Sequence, residues 1–446
     1  MLRWILGSRE AQSALEKSSV LCIGEEQPQN CFTELQVLKG HFDIVRFLVQ
    51  IDDFRCASAG DDGLVLVWNT ETGEKLLELR GHSQQITAIT TFKCRNALTT
   101  QTMLITASSD RSLSLWDPDT GNRVQTIADL HSSVKCLLVL ERLCLWLSGG
   151  EELCVWNQDF QLQCHQPNPS DTGIIALIEL PKNCVAAAMD KEIVIYRLTV
   201  PADSVLCLTE MQRLSDHRDQ IRALINVNDN MFASGSHVGE LILWDAIDWN
   251  ILAYEHILWE ESQSASEIRM GSSKPSEMSI QHLCSNGKLI LAAVGSGLYV
   301  YSVLTKTVLA YRKVAHDSNV LHTIELISCS EDGSVRMWEI QDLPLAAEPA
   351  SAGFFGMLTF GRSSKHSGPP SKKVLDVSNL KMLELIGDLI GHSGAVQMFV
   401  SFKENGLVTC STDHLLILWK NGERQSHLRS LKLFQKLEEN GGPVFS

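Results

Sequence analysis

The sequence has no CxxC pair and no Cys/His spacing suited to a metal, although it contains 13 cysteines. Cys136, Cys144, Cys184, Cys329 and Cys410 lie in apolar runs, which reads as buried reduced thiols and a cytosolic compartment. No apolar run reaches the roughly 18 residues that cross a bilayer, so no transmembrane segment is expected. The opening MLRWILGSRE lacks a signal-peptide core and the second-position glycine of myristoylation, so membrane contact is expected only through a partner or a surface helix. Positive charge is scarce. The 38 Lys and Arg stand against 53 Asp and Glu, a net charge of -15, and such a field repels a phosphate backbone. No nucleic-acid partner is expected. There is no Gly-rich phosphate loop, GxSxG elbow or HExxH, so no enzyme, cofactor or metal is expected either. What is present is an ordinary globular balance, 44% hydrophobic and 20% charged over 446 residues, with ample length for a large core.

Self-similarity appears when the tryptophans are aligned. Each closes a short alternating run: GLVLVWN (63–69), RSLSLWD (111–117), ELCVWN (152–157), ELILWD (240–245), GSVRMWE (333–339) and HLLILWK (414–420). EIVIYR (192–197) and GLYVYS (297–302) end in tyrosine instead. The end points lie 37 to 57 residues apart, except for 81 between Trp338 and Trp419. Period-2 alternation and Gly/Asp turns make these strands, and the spacing is that of a four-stranded blade with variable loops. Eight blades follow, an all-β architecture.

Four blades carry a His, a Ser or Thr, an Asp six residues before the Trp, and the Trp. They are His41, Ser58, Asp62 and Trp68; His82, Thr106, Asp110 and Trp116; His316, Ser328, Asp332 and Trp338; and His392, Thr409, Asp413 and Trp419. This constellation resembles the WD-repeat propeller family. The resemblance implies a buried polar chain in which the Asp accepts from the His and the hydroxyl links the ring to the indole, a structural role. The other blades depart, with Gly150 and Val238 where the Asp would stand and the fourth and sixth blades lacking the Trp. His316 to Trp338 takes 22 residues where the first, fifth and eighth blades take 27, and VLHTIELISC runs two strands together with no Gly, Pro, Asn or Asp between them.

A propeller must join its ends, or the first blade exposes sheet edges. TELQVLKG (33–40) precedes the first Gly-His and has no blade of its own, so it is expected to supply the outer strand of the eighth. The expected organisation is an N-terminal extension (1–32), one propeller (33–421) and a tail (422–446).

Three appendages have no place in the repeat. The gap after Trp338 implies an insertion at 341–382 within the seventh blade, longer than loops without a role usually are. Its second half is rich in Pro, Ser, Gly and Lys, yet it contains GFFGMLTFG, that is Gly353, Phe354, Phe355, Gly356, Met357, Leu358, Thr359, Phe360 and Gly361. Burying its five large apolar side chains would contribute about 8–13 kcal/mol. Ordering nine backbone residues costs about 9–18 kcal/mol. Only a well-shaped pocket then gives net affinity, which suits a motif received by a partner's cavity; the plain alternative is a cover on its own blade. Arg362, Lys365, Lys372 and Lys373 make the loop locally basic. The tail is expected to be an amphipathic helix, with Leu428, Leu431, Phe434 and Leu437 on one side, docking on its own propeller or on a partner. At the front, Leu2, Trp4, Ile5 and Leu6 form a second apolar cluster, and the two ends of a closed ring lie close together.

Segments along the whole chain, including DIVRFLVQ, SAGDDG, SHVGEL, AHDSNVLH, WKNGER and LFQKLEENG, resemble one branch of the WD-repeat family. In that branch the propeller is a non-catalytic subunit of a complex with two DENN-domain proteins, one named for an open reading frame on chromosome 9 and one for the Smith-Magenis region. The resemblance implies a scaffold acting in small-GTPase regulation and autophagy. It implies a cytoplasmic protein recruited to the lysosomal membrane, where the loop at 353–361 binds a cationic amino-acid transporter. The termini, through Leu2, Trp4, Ile5, Leu6, Leu428, Leu431, Phe434 and Leu437, are the candidate DENN interface. The alternative is a substrate receptor of a cullin ubiquitin ligase. Such propellers often carry an Arg two positions after the Trp-Asp pair, where this chain has Glu71, Asp119, Asp159, Ile247, Gln341 and Gly422. A Phe-Arg-Arg-Gly phosphoinositide signature is also missing, YRKV (311–314) being the nearest run.

Overall fold

The computed structural model describes residues 30–95, 100–167, 172–199, 206–257, 278–342, 380–402 and 405–439. Within them, 32 strands form eight four-stranded antiparallel blades, followed by one helix, Gly422–Glu439. The strand Glu34–Leu38 pairs antiparallel with Leu416–Lys420, in register from Glu34 opposite Lys420 to Leu38 opposite Leu416. The eighth blade is therefore built from both ends of the chain, and the ring has no open blade edge where it closes.

The alternating runs that end in Trp or Tyr are the third strands, and most are buried on both faces: Val65–Asn69, Leu113–Trp116, Gly297–Ser302 and Leu416–Lys420. Outer strands such as Arg123–Ile127 are exposed. The core accordingly sits between blades rather than inside one. Trp68 packs with Leu38, Leu66, Val408 and Leu418, joining the first blade to the eighth. The pairing of third and outer strands shifts register next to Trp68, Trp116, Trp156, Trp244 and Trp338. Such a bulge adds local twist and re-aims side chains.

The short seventh blade turns by an unusual residue. Ile324 pairs with Ile327 across the two-residue turn Glu325–Leu326, and Glu325 takes φ 52°, the left-handed region. The hairpin thus closes without Gly or Asn, at a strain of about 1 kcal/mol. The outer strands of the sixth and seventh blades, Thr307–Arg312 and Lys381–Ile390, pair in parallel at Ala310 opposite Lys381 and Tyr311 opposite Met382, fusing two blades into one eight-stranded sheet. Arg312 stitches this seam. Its guanidinium lies 5.2 Å over the Trp338 ring and donates to the Leu383 carbonyl at 3.1 Å. The arginine of YRKV is therefore committed to the fold.

Candidate interaction platform and its polar core

Each of the four expected constellations is assembled, and their atoms imply a single direction of hydrogen bonding. In the first blade the Trp68 indole donates to Ser58 Oγ at 2.8 Å, Ser58 lies 2.7 Å from His41 Nε2, and His41 Nδ1 lies 2.8 Å from Asp62. Trp116–Thr106–His82–Asp110, Trp338–Ser328–His316–Asp332 and Trp419–Thr409–His392–Asp413 repeat it, with ring-to-hydroxyl distances of 2.7, 2.8 and 2.7 Å. The indole can only donate, so the hydroxyl donates to Nε2 and the neutral ring donates from Nδ1 to the carboxylate. Each Asp also accepts the backbone N–H just after its His, from Phe42, Ser83, Asp317 and Ser393. Burial would raise the carboxyl pKa values, but the ring, hydroxyl and amide donors outweigh it and hold Asp62, Asp110, Asp332 and Asp413 below the usual range. Burial lowers His82 and His392, which keeps those rings neutral.

A fifth chain, missed by fixed spacing, lies in the fifth blade. Trp244 donates to Ser234 at 2.8 Å, Ser234 lies 2.6 Å from His217 Nε2, and His217 Nδ1 lies 3.2 Å from Glu240. Val238 does replace the turn Asp, but Glu240, four residues before the Trp, supplies the acid from the start of the strand. Its side chain is fully buried and also accepts from Arg218 N–H, Ser236 and the Tyr254 hydroxyl. These donors, against the opposing effect of burial, lower its pKa. The third blade keeps Trp156 on Ser148 at 2.9 Å but has no imidazole on that hydroxyl. His131 is exposed there.

The central channel holds a different pair. His282 and His322, on the innermost strands of the sixth and seventh blades, stack at 4.3 Å, and His322 meets the Phe399 ring edge-on at 5.0 Å. His282 Nδ1 is 3.1 Å from Thr323 Oγ1, whereas His322 Nδ1 is buried without a partner. Burial lowers both, His282 to about 4. Among the described residues no three His, Cys, Asp or Glu stand where they could share a metal ion. Of the cysteines read as buried, Cys184, Cys329 and Cys410 are so, Cys136 and Cys144 are half-buried, and Cys31 and Cys207 are exposed.

The candidate partner surfaces lie at the ring's margins. The insertion leaves and re-enters through two paired strands, Ser334–Asp342 and Lys381–Ile390, with Lys381 bridging to Asp342 at 3.0 Å. Residues 353–361, from Gly353 through Phe354, Phe355, Gly356, Met357, Leu358 and Phe360 to Gly361, lie outside the described residues, as do Leu2, Trp4, Ile5 and Leu6. The helix begins under an Asn421 cap, whose Oδ1 accepts from Arg424 N–H at 3.0 Å. Its first turns are tied to the closing strand. Gly422 N–H donates to Thr33 at 3.0 Å, and Arg429 pairs with Glu34. Leu428 and Leu431 are nevertheless 38% and 46% exposed. The side chains of Phe434 and Leu437 lie outside the described residues. No described helix is long and apolar enough to cross a membrane.

A family model described as the WDR41 β-propeller matches residues 1–429. The chain is 57% identical over 454 residues to WD repeat-containing protein 41 of Homo sapiens, covering 99% of each chain. It is 53% identical to WD repeat-containing protein 41 of Mus musculus, covering 99% of this chain and 98% of that one. Among solved structures, the crystal structure of the computationally designed Ika8 protein aligns with a TM-score of 0.59 at 18% identity, over 86% of this chain and 98% of that one. The last likeness concerns the fold alone.

Proposed function

This chain belongs to the WDR41 β-propeller family, and from that premise we propose that it is a non-catalytic adaptor. It joins a complex of two DENN-domain proteins acting in autophagy and small-GTPase regulation, and it brings that complex to the lysosomal membrane. There the loop at 353–361 is received by the cationic amino-acid transporter, and the termini hold the DENN partner.

The observation that carries this reading is the contrast between the ring and its margins. The acids and histidines of five blades are spent on one another, which leaves them no chemistry to perform. The insertion springs from a pinned hairpin base whose strands already have partners, so its aromatic segment is presented from a rigid support. The helix is anchored at one end while Leu428 and Leu431 are exposed, an arrangement suited to a helix-in-groove partner.

The test replaces Phe354, Phe355 and Phe360 by Ala. The expected result is an unchanged thermal midpoint and an intact DENN complex that no longer reaches lysosomes. Undiminished recruitment overturns the reading.

A further inference from the structure

The third blade repeats the fifth in its indole, its hydroxyl and its acid. Register fixes the equivalence: Gly149 pairs with Leu153 as Gly235 pairs with Leu241, and Cys154 pairs with His165 as Ile242 pairs with Tyr254. Ser148 thus stands where Ser234 does, Glu152 where Glu240 does, Trp156 where Trp244 does, and His165 where Tyr254 does. The indole-to-hydroxyl bond is kept, and His165 Nδ1 lies 3.8 Å from Glu152 Oε2, on the side from which Tyr254 donates to Glu240. The missing part is the ring. In its place is an open cavity of about 210 Å³, lined among others by Ser148, Glu152, Trp156 and His165. Glu152, without a ring to cover it, is 29% exposed where Glu240 is 0%.

The chain's own histidine, His131, stands one position out of step with those of the other five blades. His41, His82, His217, His316 and His392 each stand four residues before the first apolar residue of their inner strand (Val45, Ile86, Ile221, Val320, Val396). His131 stands three before Val134, just ahead of the inner strand, with Leu130 at the fourth position, and its exposed side chain is among those lining the cavity.

We propose that this cavity is a binding site for an imidazole ring supplied from outside, the histidine side chain of a partner segment. One nitrogen would accept from Ser148 and the other would donate to Glu152. The chemistry of the occupant is stated by the molecule itself, since five other blades hold an imidazole between the same two groups. The cavity far exceeds what a single water requires.

The test uses the full chain and imidazole as the probe, read at the Trp156 indole N–H resonance, assigned by loss in Trp156→Phe. Imidazole is expected to shift that resonance saturably in the low millimolar range, equally in His131→Ala. 1-Methylimidazole, with one nitrogen blocked, is expected to bind at least tenfold more weakly. Glu152→Leu is expected to weaken imidazole at least tenfold and to keep the fold, because Leu64 occupies the equivalent position of the first blade; Glu152→Gln serves as the second variant. The proposal is overturned if the wild-type chain shows no saturable shift. It is equally overturned if binding appears only after His131 is removed, or if both Glu152 variants bind as tightly as the wild-type chain.

Discussion

Glu240 lies 3.2 Å from His217 Nδ1 and does for the fifth blade what an aspartate two positions earlier does for four others. The longer side chain makes up the distance from the strand start to the ring. Replacing it by Ala leaves His217, Arg218 N–H and Tyr254 without their acceptor, and the expected loss is about 3–5 kcal/mol. Glu240→Leu combined with Val238→Asp recreates the first blade's Asp62 and Leu64 and should recover most of that loss. Denaturant midpoints of the three variants check this, and a double variant no better than Glu240→Ala would contradict it.

That acid also marks where the sequence stops being legible. The third strands, the four aspartate chains and the closing strand all follow from period-2 runs and a fixed six-residue offset. Glu240 escapes because the offset changes while the geometry does not. The turn at Glu325 escapes because a non-glycine residue carries the positive φ. The seam at Arg312 escapes because it joins outer strands far apart in sequence, to which a local pattern is blind. The aromatic segment stands out by composition alone, and no repeat constrains where it goes.

Glu325 holds a left-handed turn without a side chain suited to it. Glu325→Gly should stabilise the chain by about 0–0.5 kcal/mol, the strain of about 1 kcal/mol relieved less about 0.5–1 kcal/mol for the added freedom of the unfolded chain. A lower denaturant midpoint would show that the side chain contributes something the turn needs.

The channel histidines should make the ring acid-sensitive. Their folded pKa values lie below 6.5, so the unfolded chain binds more protons as pH falls through 6.5, and stability is lost progressively from there down to about 4 for His282. The tetrad carboxylates, held low, add their loss only below about pH 4. His322→Leu removes a buried nitrogen that has no partner, so it should leave neutral-pH stability equal or higher and flatten the slope between pH 6.5 and 4. Unfolding curves at pH 7.5, 6 and 5 test this; an unchanged slope would refute it.

Arg312→Ala should open the seam beneath the insertion, costing about 1–3 kcal/mol from the lost cation–π contact and the bond to Leu383. Limited proteolysis within 343–380 should accelerate in the variant while the third strands stay protected.

The most direct measurement of the account is hydrogen exchange on the full chain, alone and with the cytosolic face of the proposed partner, a lysosomal cationic amino-acid transporter. New protection confined to peptides spanning 353–361, with third-strand amides unchanged, is the predicted result. Protection spread over the ring's faces, with exchange in the aromatic segment unchanged, would contradict it.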